Sequence, residues 1–170
     1  GWNKLQQLSN EVLQCASGQF VAEGFQVFCF RESVHVLDSA ELERDLDTID
    51  LGAMPGLPVA GEVILPGNGR LRIRTKQGEG ICADKLSKLS IRYRRGGETC
   101  RLAGRPSKTL KKILQESKVP PWLRSRIPLF YDGEDLSYIP SVGVIEELAA
   151  KGAQPGCIIE WEPPNLALRA

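Results

Sequence analysis

The stretch of the sequence that decides the fold spans residues 101–131 and reads RLAGRPSKTLKKILQESKVPPWLRSRIPLFY. It predicts a helix over residues 106–117, because leucine and isoleucine recur at helical spacing from Leu110 to Leu114 and form one apolar face. The opposite face carries lysines and a glutamine. A Pro-Pro pair at residues 120–121 ends this helix and begins a short second one, since proline interrupts a helix but fits its first turn.

Strands are predicted on both sides of this stretch, where apolar and polar residues alternate or β-branched and aromatic residues accumulate. They cover residues 25–30, 33–37, 63–65, 71–74, 89–93, 129–131, 136–139 and 157–161. Asn68-Gly69 predicts a hairpin turn in which both residues take positive φ. A capping box at Asp38 and Glu41 begins a short helix that is expected to continue through Leu46.

Helices and strands occur together without strict alternation, which predicts an α+β fold. We expect a small mixed α/β domain over residues 1–80 and a β-rich, sandwich- or barrel-like domain with two short helices over residues 86–164. Residues 165–170 form a tail, and the stretch from residue 163 onward is expected to be poorly ordered. An amphipathic helix over residues 2–15 begins without an N-cap or an initiator Met, which indicates an excised fragment.

Charge is strongly segregated along the chain. The net charge is +1, yet residues 85–126 contain 13 Lys or Arg and only two acids, Glu98 and Glu116, a balance of +11. The rest of the chain therefore carries a balance of −10. A segregated basic block is typical of proteins that bind a polyanion. The alternative at this point is a solvated face that only keeps the protein soluble.

The sequence contains no recognisable catalytic or metal-binding pattern. His35 is the only histidine and lies in a predicted strand, which favours a structural role over a catalytic one. The five cysteines are widely spaced without a C-x-x-C pair, so we expect no zinc site and predict reduced, mostly buried thiols. No run of 18 apolar residues and no signal-peptide pattern occurs, which predicts a cytoplasmic protein without a membrane span.

Residues 105–131 resemble the C-terminal domain of the bacterial tRNA(Ile)-lysidine synthetase family. The resemblance rests on the pattern R-x-x-x-x-L-K-K-x-x-Q-E-x-x-V-P-P-W-L-R-x-x-x-P-L-x-Y, which begins at Arg105 and ends at Tyr131. It extends back through residues 89–95 and, more loosely, to residues 1–50, which resemble the central substrate-binding domain of the family. The catalytic S-G-G-x-D-S loop of the family is absent from this sequence.

The resemblance implies a non-catalytic, tRNA-recognising C-terminal fragment. In the family, the full-length enzyme uses ATP and Mg²⁺ to ligate lysine to the wobble cytidine of the CAU anticodon of tRNA(Ile). It implies no cofactor for this chain itself. The implied partner is tRNA(Ile), with the acceptor stem as the contact of the last domain, and the resemblance leaves a homodimer open.

The candidate tRNA-binding residues combine the basic segment with the family pattern. They are Arg94, Arg95, Arg101, Arg105, Lys108, Lys111, Lys112, Trp122, Arg124 and Arg126. Lysine and arginine supply the positive charges that phosphates require, whereas Trp122 fits either base stacking or a role as a core anchor. The alternative function is a protein-interaction module whose basic face binds an acidic partner. An enzyme complete in itself is not expected, because no catalytic constellation supports one.

Overall fold

The computed structural model describes residues 18–53 and 60–168. The helix predicted at residues 2–15 lies outside the described residues. The chain forms two compact units by its internal contacts. The first contains the described residues up to Asp45 together with those from Asn165 onward, and the second is Leu46–Pro164. Strands predominate over short helices in the described chain, which confirms the α+β prediction.

The first unit contains an antiparallel three-stranded sheet in the order β1-β2-β3. Its strands are β1 (Gln19–Ala22), β2 (Phe25–Phe30) and β3 (Ser33–Asp38), and a one-turn helix, α1 (Ser39–Leu42), follows. The predicted strands at residues 25–30 and 33–37 are confirmed. Arg31 and Glu32 connect them with φ values of 51° and 62°. Two consecutive positive φ angles give the tight turn whose twist matches that of paired strands.

The capping box predicted at the start of α1 is confirmed at its N-cap. Asp38 Oδ1 accepts a hydrogen bond from Glu41 N at 3.1 Å. This bond satisfies one of the amide groups that a helix start leaves without a helical partner. The helix ends at Leu42 rather than continuing to Leu46.

Residues 165–168 are more ordered than predicted. Leu166 is buried, and its carbonyl oxygen accepts a hydrogen bond from Asp38 N at 2.9 Å. Leu168 N donates to the Val36 oxygen at 3.1 Å. The prediction of a poorly ordered tail was therefore wrong for residues 165–168, because these backbone bonds and one buried leucine attach the segment to β3.

The strands of the second unit are β4 (Ile49–Asp50), β5 (Gly61–Ile64), β6 (Arg70–Gln77), β7 (Ile81–Cys82), β8 (Ser90–Arg92), β9 (Thr99–Cys100), β10 (Lys108–Thr109), β11 (Leu129–Asp132), β12 (Asp135–Ile139), β13 (Gly143–Val144) and β14 (Pro155–Glu162). The described residues of this unit form three antiparallel sheets. Five strands are ordered β13-β12-β11-β8-β4, four are ordered β5-β6-β14-β7, and β9 pairs with β10. The helices are α2 (Leu110–Glu116) and single 3₁₀ segments at Leu51–Ala53, Ala83–Lys88, Pro121–Leu123 and Glu146–Leu148.

The two larger sheets share one hydrophobic core. Buried residues of β6 and β14 join those of β8, β11 and β12 in a single cluster. Tyr138 of β12 links the sheets, since its hydroxyl donates to the Ile159 oxygen at 3.1 Å and accepts from Ile159 N at 3.0 Å. A second cluster lies beneath α2 and contains Leu110, Leu114 and Leu129. The apolar face of α2 therefore packs against a core to which β11 contributes Leu129.

Residues on both sides of the predicted domain boundary belong to the same compact unit. The predicted boundary lies between residues 80 and 86, whereas residues 46–164 form one compact unit in the structure. Residues 46–164 stay together because β6 pairs with β14 over eight positions. Arg70 lies opposite Glu162 at one end of this pairing, and Gln77 lies opposite Pro155 at the other. The hairpin formed by β5 and β6 is thus completed by the last strand of the same unit.

The turn between β5 and β6 differs from the predicted Asn-Gly geometry. Gly67 and Gly69 take positive φ angles of 66° and 74°, and Asn68 between them does not. The Asn68 side chain is instead fully buried, and its Nδ2 donates to the Arg126 oxygen at 2.7 Å. Trp161 Nε1 donates to the Asn68 backbone oxygen at 2.9 Å. Asn68 therefore connects three distant parts of the second unit.

Candidate nucleic-acid interface

The helix at the centre of the candidate interface starts later than the sequence predicted. Residues 106–117 were expected to be helical, whereas α2 begins at Leu110 with Thr109 as its N-cap. Thr109 Oγ1 accepts a hydrogen bond from Lys112 N at 3.4 Å. The preceding residue, Lys108, belongs to β10, which pairs with β9 and so removes these positions from the helix.

The two faces of α2 are arranged as predicted. Its buried side chains are those of Leu110, Ile113 and Leu114. Its exposed side chains are those of Lys111, Lys112, Gln115 and Glu116. The lysines are therefore held at the surface by a helix whose other face is fixed in the core.

Three of the predicted cations act on one carboxylate, and we call Arg105, Lys108, Lys112 and Glu116 the Glu116 cluster. Lys108 Nζ contacts both oxygens of Glu116, at 2.7 and 2.9 Å. This hydrogen bond is the main reason that the pKa of Glu116 is held below its usual range. Burial opposes the shift, and the charges of Lys108, Lys112 and Arg105 add to it. All three cations are therefore close enough to act on the same anion.

The role of Glu116 was not apparent from the sequence, where it only reduced the charge count by one. Lys108 and Glu116 are eight residues apart, a separation that matches neither i,i+3 nor i,i+4 helical pairing. They meet because Lys108 lies in a strand immediately before the helix and Glu116 is the last residue of that helix.

A second group of cations contains Arg94 and Arg124, which are both half-buried. Arg124 Nε donates to the Val119 oxygen at 2.9 Å, which fixes the guanidinium group against the turn after α2. Burial lowers the pKa of Arg124, and the positive charge of Arg94 lowers it further. The two predicted arginines are therefore neighbours, although 30 residues separate them in the sequence.

The turn that presents Arg94 and Arg95 is organised by Glu98. The Glu98 carboxylate accepts hydrogen bonds from the backbone N–H groups of Arg95 and Gly96. Gly96 and Gly97 take positive φ angles of 102° and 83°, a conformation that glycine adopts without steric cost. Burial alone would raise the pKa of Glu98, but these backbone bonds and the Arg94 charge hold it below its usual range.

Four further predicted residues have accessible side chains. Arg95, Arg101 and Lys111 are exposed. Trp122 is half-buried in the 3₁₀ segment Pro121–Leu123. All four residues therefore lie at least partly at the surface of the second unit.

Arg126 does not belong to this surface, which corrects its place among the predicted residues. Its side chain is only 1% exposed. Arg126 Nη2 donates to the Gly67 oxygen at 2.7 Å, and its own backbone oxygen accepts the bond from Asn68. A guanidinium group buried in this way holds the turn between β5 and β6 and cannot reach an RNA phosphate. A charge count cannot distinguish it from its exposed neighbours.

Arg92, another arginine of the basic segment, is engaged within the fold. Its guanidinium group lies over the Tyr131 ring at 4.9 Å, and Nη2 donates to the Gly133 oxygen at 2.7 Å. Nη1 also forms an ion pair with Glu134 at 2.9 Å. Cation–π contact and two polar bonds give this arginine a structural role in the β11–β12 hairpin.

The arginines of β6 form a separate, neutralised surface. Arg70, Arg72 and Arg74 alternate with buried apolar residues, as predicted. The carboxylates that pair with them are Glu62 on β5 and Glu160 and Glu162 on β14, at 2.9 to 3.2 Å. We call these six residues the β6 ion-pair ladder. This face of the hairpin therefore carries three charges of each sign.

An open groove of about 930 Å³ lies beside the Glu116 cluster. Arg101 and Arg105 contribute to its lining. Its carboxylates are those of Asp132, Asp135, Glu146 and Glu147. Because the groove contains more negative than positive groups, it is unfavourable for a phosphate backbone. The cationic surface that remains runs over α2 and the loops on either side of it.

Among residues 18–53 and 60–168, no helix has the length and apolar character needed to cross a membrane. Within the same ranges, no three His, Cys, Asp or Glu side chains are grouped as metal ligands.

Comparison with known proteins identifies what the chain is similar to. Residues 89–161 match the family described as the TilS substrate C-terminal domain. A tRNA(Ile)-lysidine synthase from Coxiella burnetii is 31% identical over 167 residues, which are 95% of this chain and 36% of that protein. A tRNA(Ile)-lysidine synthase from Methylococcus capsulatus is 32% identical over 168 residues, with 94% and 36% coverage. The chain thus spans about a third of the length of these relatives.

A solved structure supports the fold independently. A crystal structure described as the TilS C-terminal domain matches with a TM-score of 0.50 and 22% sequence identity. The match covers 71% of this chain and 99% of the solved chain. At this identity the likeness concerns the fold alone.

Proposed function

The chain belongs to the tRNA(Ile)-lysidine synthetase family through its TilS substrate C-terminal domain, and from this premise we propose that it is a tRNA-binding part of such an enzyme. The observation that carries the proposal is the Glu116 cluster, in which Lys108 contacts the Glu116 carboxylate and the charges of Arg105 and Lys112, two cations of the family pattern, act on the same group. Lys111, which is exposed on the same helix, extends this cationic surface. A cationic surface without a catalytic constellation fits recognition of tRNA rather than chemistry on it.

The basic surface would bind tRNA mainly through its phosphates. Lysine is a mobile point charge, and arginine offers several donors in a fixed plane, so both fit phosphate oxygens. Such contacts release counterions from the nucleic acid, and they position it without reading its sequence. Trp122, which is half-buried, is the one aromatic residue among the predicted residues and so the candidate for base stacking.

We assign the remaining steps to the full-length enzyme. In this proposal, ligation of lysine to the wobble cytidine of tRNA(Ile) takes place in a nucleotide-binding domain that uses ATP and Mg²⁺. The surface described above holds the same tRNA at a distance from that reaction, with the acceptor stem as its contact. The cytoplasm is the compartment in which such an enzyme meets its tRNA.

Salt-dependent binding tests this function directly. If the surface neutralises roughly four to six phosphates, the logarithm of the tRNA(Ile) affinity falls with the logarithm of salt concentration with a slope of roughly −3 to −5. Arg105→Ala and Lys112→Ala should each weaken binding and flatten that slope by up to about one. The measurement is fluorescence anisotropy with labelled tRNA(Ile) at several salt concentrations. Unchanged affinity in both variants would contradict the proposal.

A further inference from the structure

Glu116 is one of only two acidic residues in the basic segment, and it is bound to one of the cations that we assign to tRNA. We propose that its carboxylate occupies a phosphate position, and that a tRNA phosphate replaces it at Lys108 when RNA binds. This inference rests on the proposed tRNA-binding function. It identifies Glu116 as an internal competitor that lowers the affinity of the surface for RNA.

The geometry of the ion pair fits such an exchange. Both Glu116 oxygens lie on the single ammonium group of Lys108, at 2.7 and 2.9 Å, as two oxygens of a phosphate group would. The Lys108 side chain is 30% exposed and that of Glu116 is 47% exposed, so solvent and ligands reach the pair. No rearrangement of the core is therefore needed to separate them.

The local charge favours a second anion even while the pair is formed. Three cations face one carboxylate, and the charges of Arg105 and Lys112 act on the same position as that of Lys108. A solvent-exposed ion pair contributes little to stability, because water screens it and both side chains lose freedom. A phosphate held by the rest of a tRNA interface also gains from counterion release, which the glutamate cannot match.

The alternative role for Glu116 is to hold Lys108 in a productive position for RNA. The two roles predict opposite effects for Glu116→Gln, which keeps the size of the side chain and removes its charge. Competition predicts that the variant binds tRNA(Ile) about 3- to 10-fold more tightly at low salt and that the salt slope becomes steeper by up to about one. Positioning predicts weaker binding, and that result would overturn the inference.

Lys108→Ala provides a second readout. In the otherwise unaltered chain this substitution removes a phosphate contact but also removes the need to break the ion pair. In the Glu116→Gln chain it removes the contact alone. We therefore expect Lys108→Ala to weaken tRNA binding by a larger factor in the Glu116→Gln background than in the unaltered chain. Equal factors in the two backgrounds would show that Lys108 and Glu116 act independently and would also overturn the inference.

Glu160→Gln is the matched control, since it removes one exposed carboxylate that pairs with Arg74 in the β6 ion-pair ladder. We expect no change in affinity, and tightening equal to that of Glu116→Gln would attribute the effect to net charge. Lys112→Ala separates this inference from the proposed function. If Lys112→Ala weakens binding while Glu116→Gln does not tighten it, only the inference fails. If the unaltered 170-residue chain does not bind tRNA(Ile), both fail.

Discussion

Asn68 and Arg126 illustrate what single residues do in this fold. Both are polar, both are almost completely buried, and 58 residues separate them in the sequence. Their mutual bond, together with the Arg126–Gly67 bond, satisfies groups that would be costly to bury alone. Local sequence patterns could identify a turn at Asn68 and a cation at Arg126. They could not reveal that the two residues hold each other, since the contact depends on the whole fold.

Asn68→Ala tests how much the bond between Asn68 and Arg126 contributes to stability. The substitution removes the donor to the buried Arg126 oxygen and should lower the free energy of unfolding by about 1–3 kcal/mol. Urea denaturation followed by tryptophan fluorescence measures the loss. Gln115→Ala, at an exposed position of α2, serves as the control and should change the free energy of unfolding by less than about 0.5 kcal/mol. A similar small effect for Asn68→Ala would mean that its side-chain bond is not stabilising.

At the scale of elements, sequence pattern was sufficient where the composition or the alternation of residues marks a strand by itself. It located the strands β2, β3, β5, β6, β8, β11, β12 and β14, because alternation and β-branched residues are visible over several positions. It missed β1 and the two-residue strands, whose partners are set by the fold rather than by their own residues. The late start of α2 has the same cause, since pairing with β9 withdraws Lys108 and Thr109 from the helix.

Thr109 is the N-cap at that boundary, and its hydroxyl is expected to stabilise the start of α2. Thr109→Ala removes the acceptor for Lys112 N and should lower the free energy of unfolding by about 1 kcal/mol. Thr109→Ser keeps an oxygen at the same place and should restore most of the loss. Thermal or urea unfolding of the two variants provides the comparison. Equal losses in Ala and Ser would assign the effect to the β-strand pairing of residue 109 instead of the helix cap.

At the scale of the whole molecule, the position of its carboxylates determines which cations are available to a ligand. The β6 ion-pair ladder matches three arginines with three glutamates, whereas the Glu116 cluster places three cations around one carboxylate. Both regions are rich in basic residues in the sequence. Only the contacts between β5, β6 and β14 reveal that one of them is neutral, because the glutamates come from other strands.

This difference predicts that tRNA affinity follows the local balance of charge instead of the total number of arginines and lysines. Arg72 lies between Glu62 and Glu162, at 3.2 and 2.9 Å, so its charge is already compensated. Arg72→Ala should therefore change the affinity for tRNA(Ile) by less than about twofold and leave the salt slope as it is, because two carboxylates already compensate its charge and water screens exposed ion pairs. Lys112→Ala removes the same formal charge and should weaken binding and flatten the slope. Equal losses in the two variants would mean that tRNA responds to the net charge of the chain and that the surface around α2 has no special role.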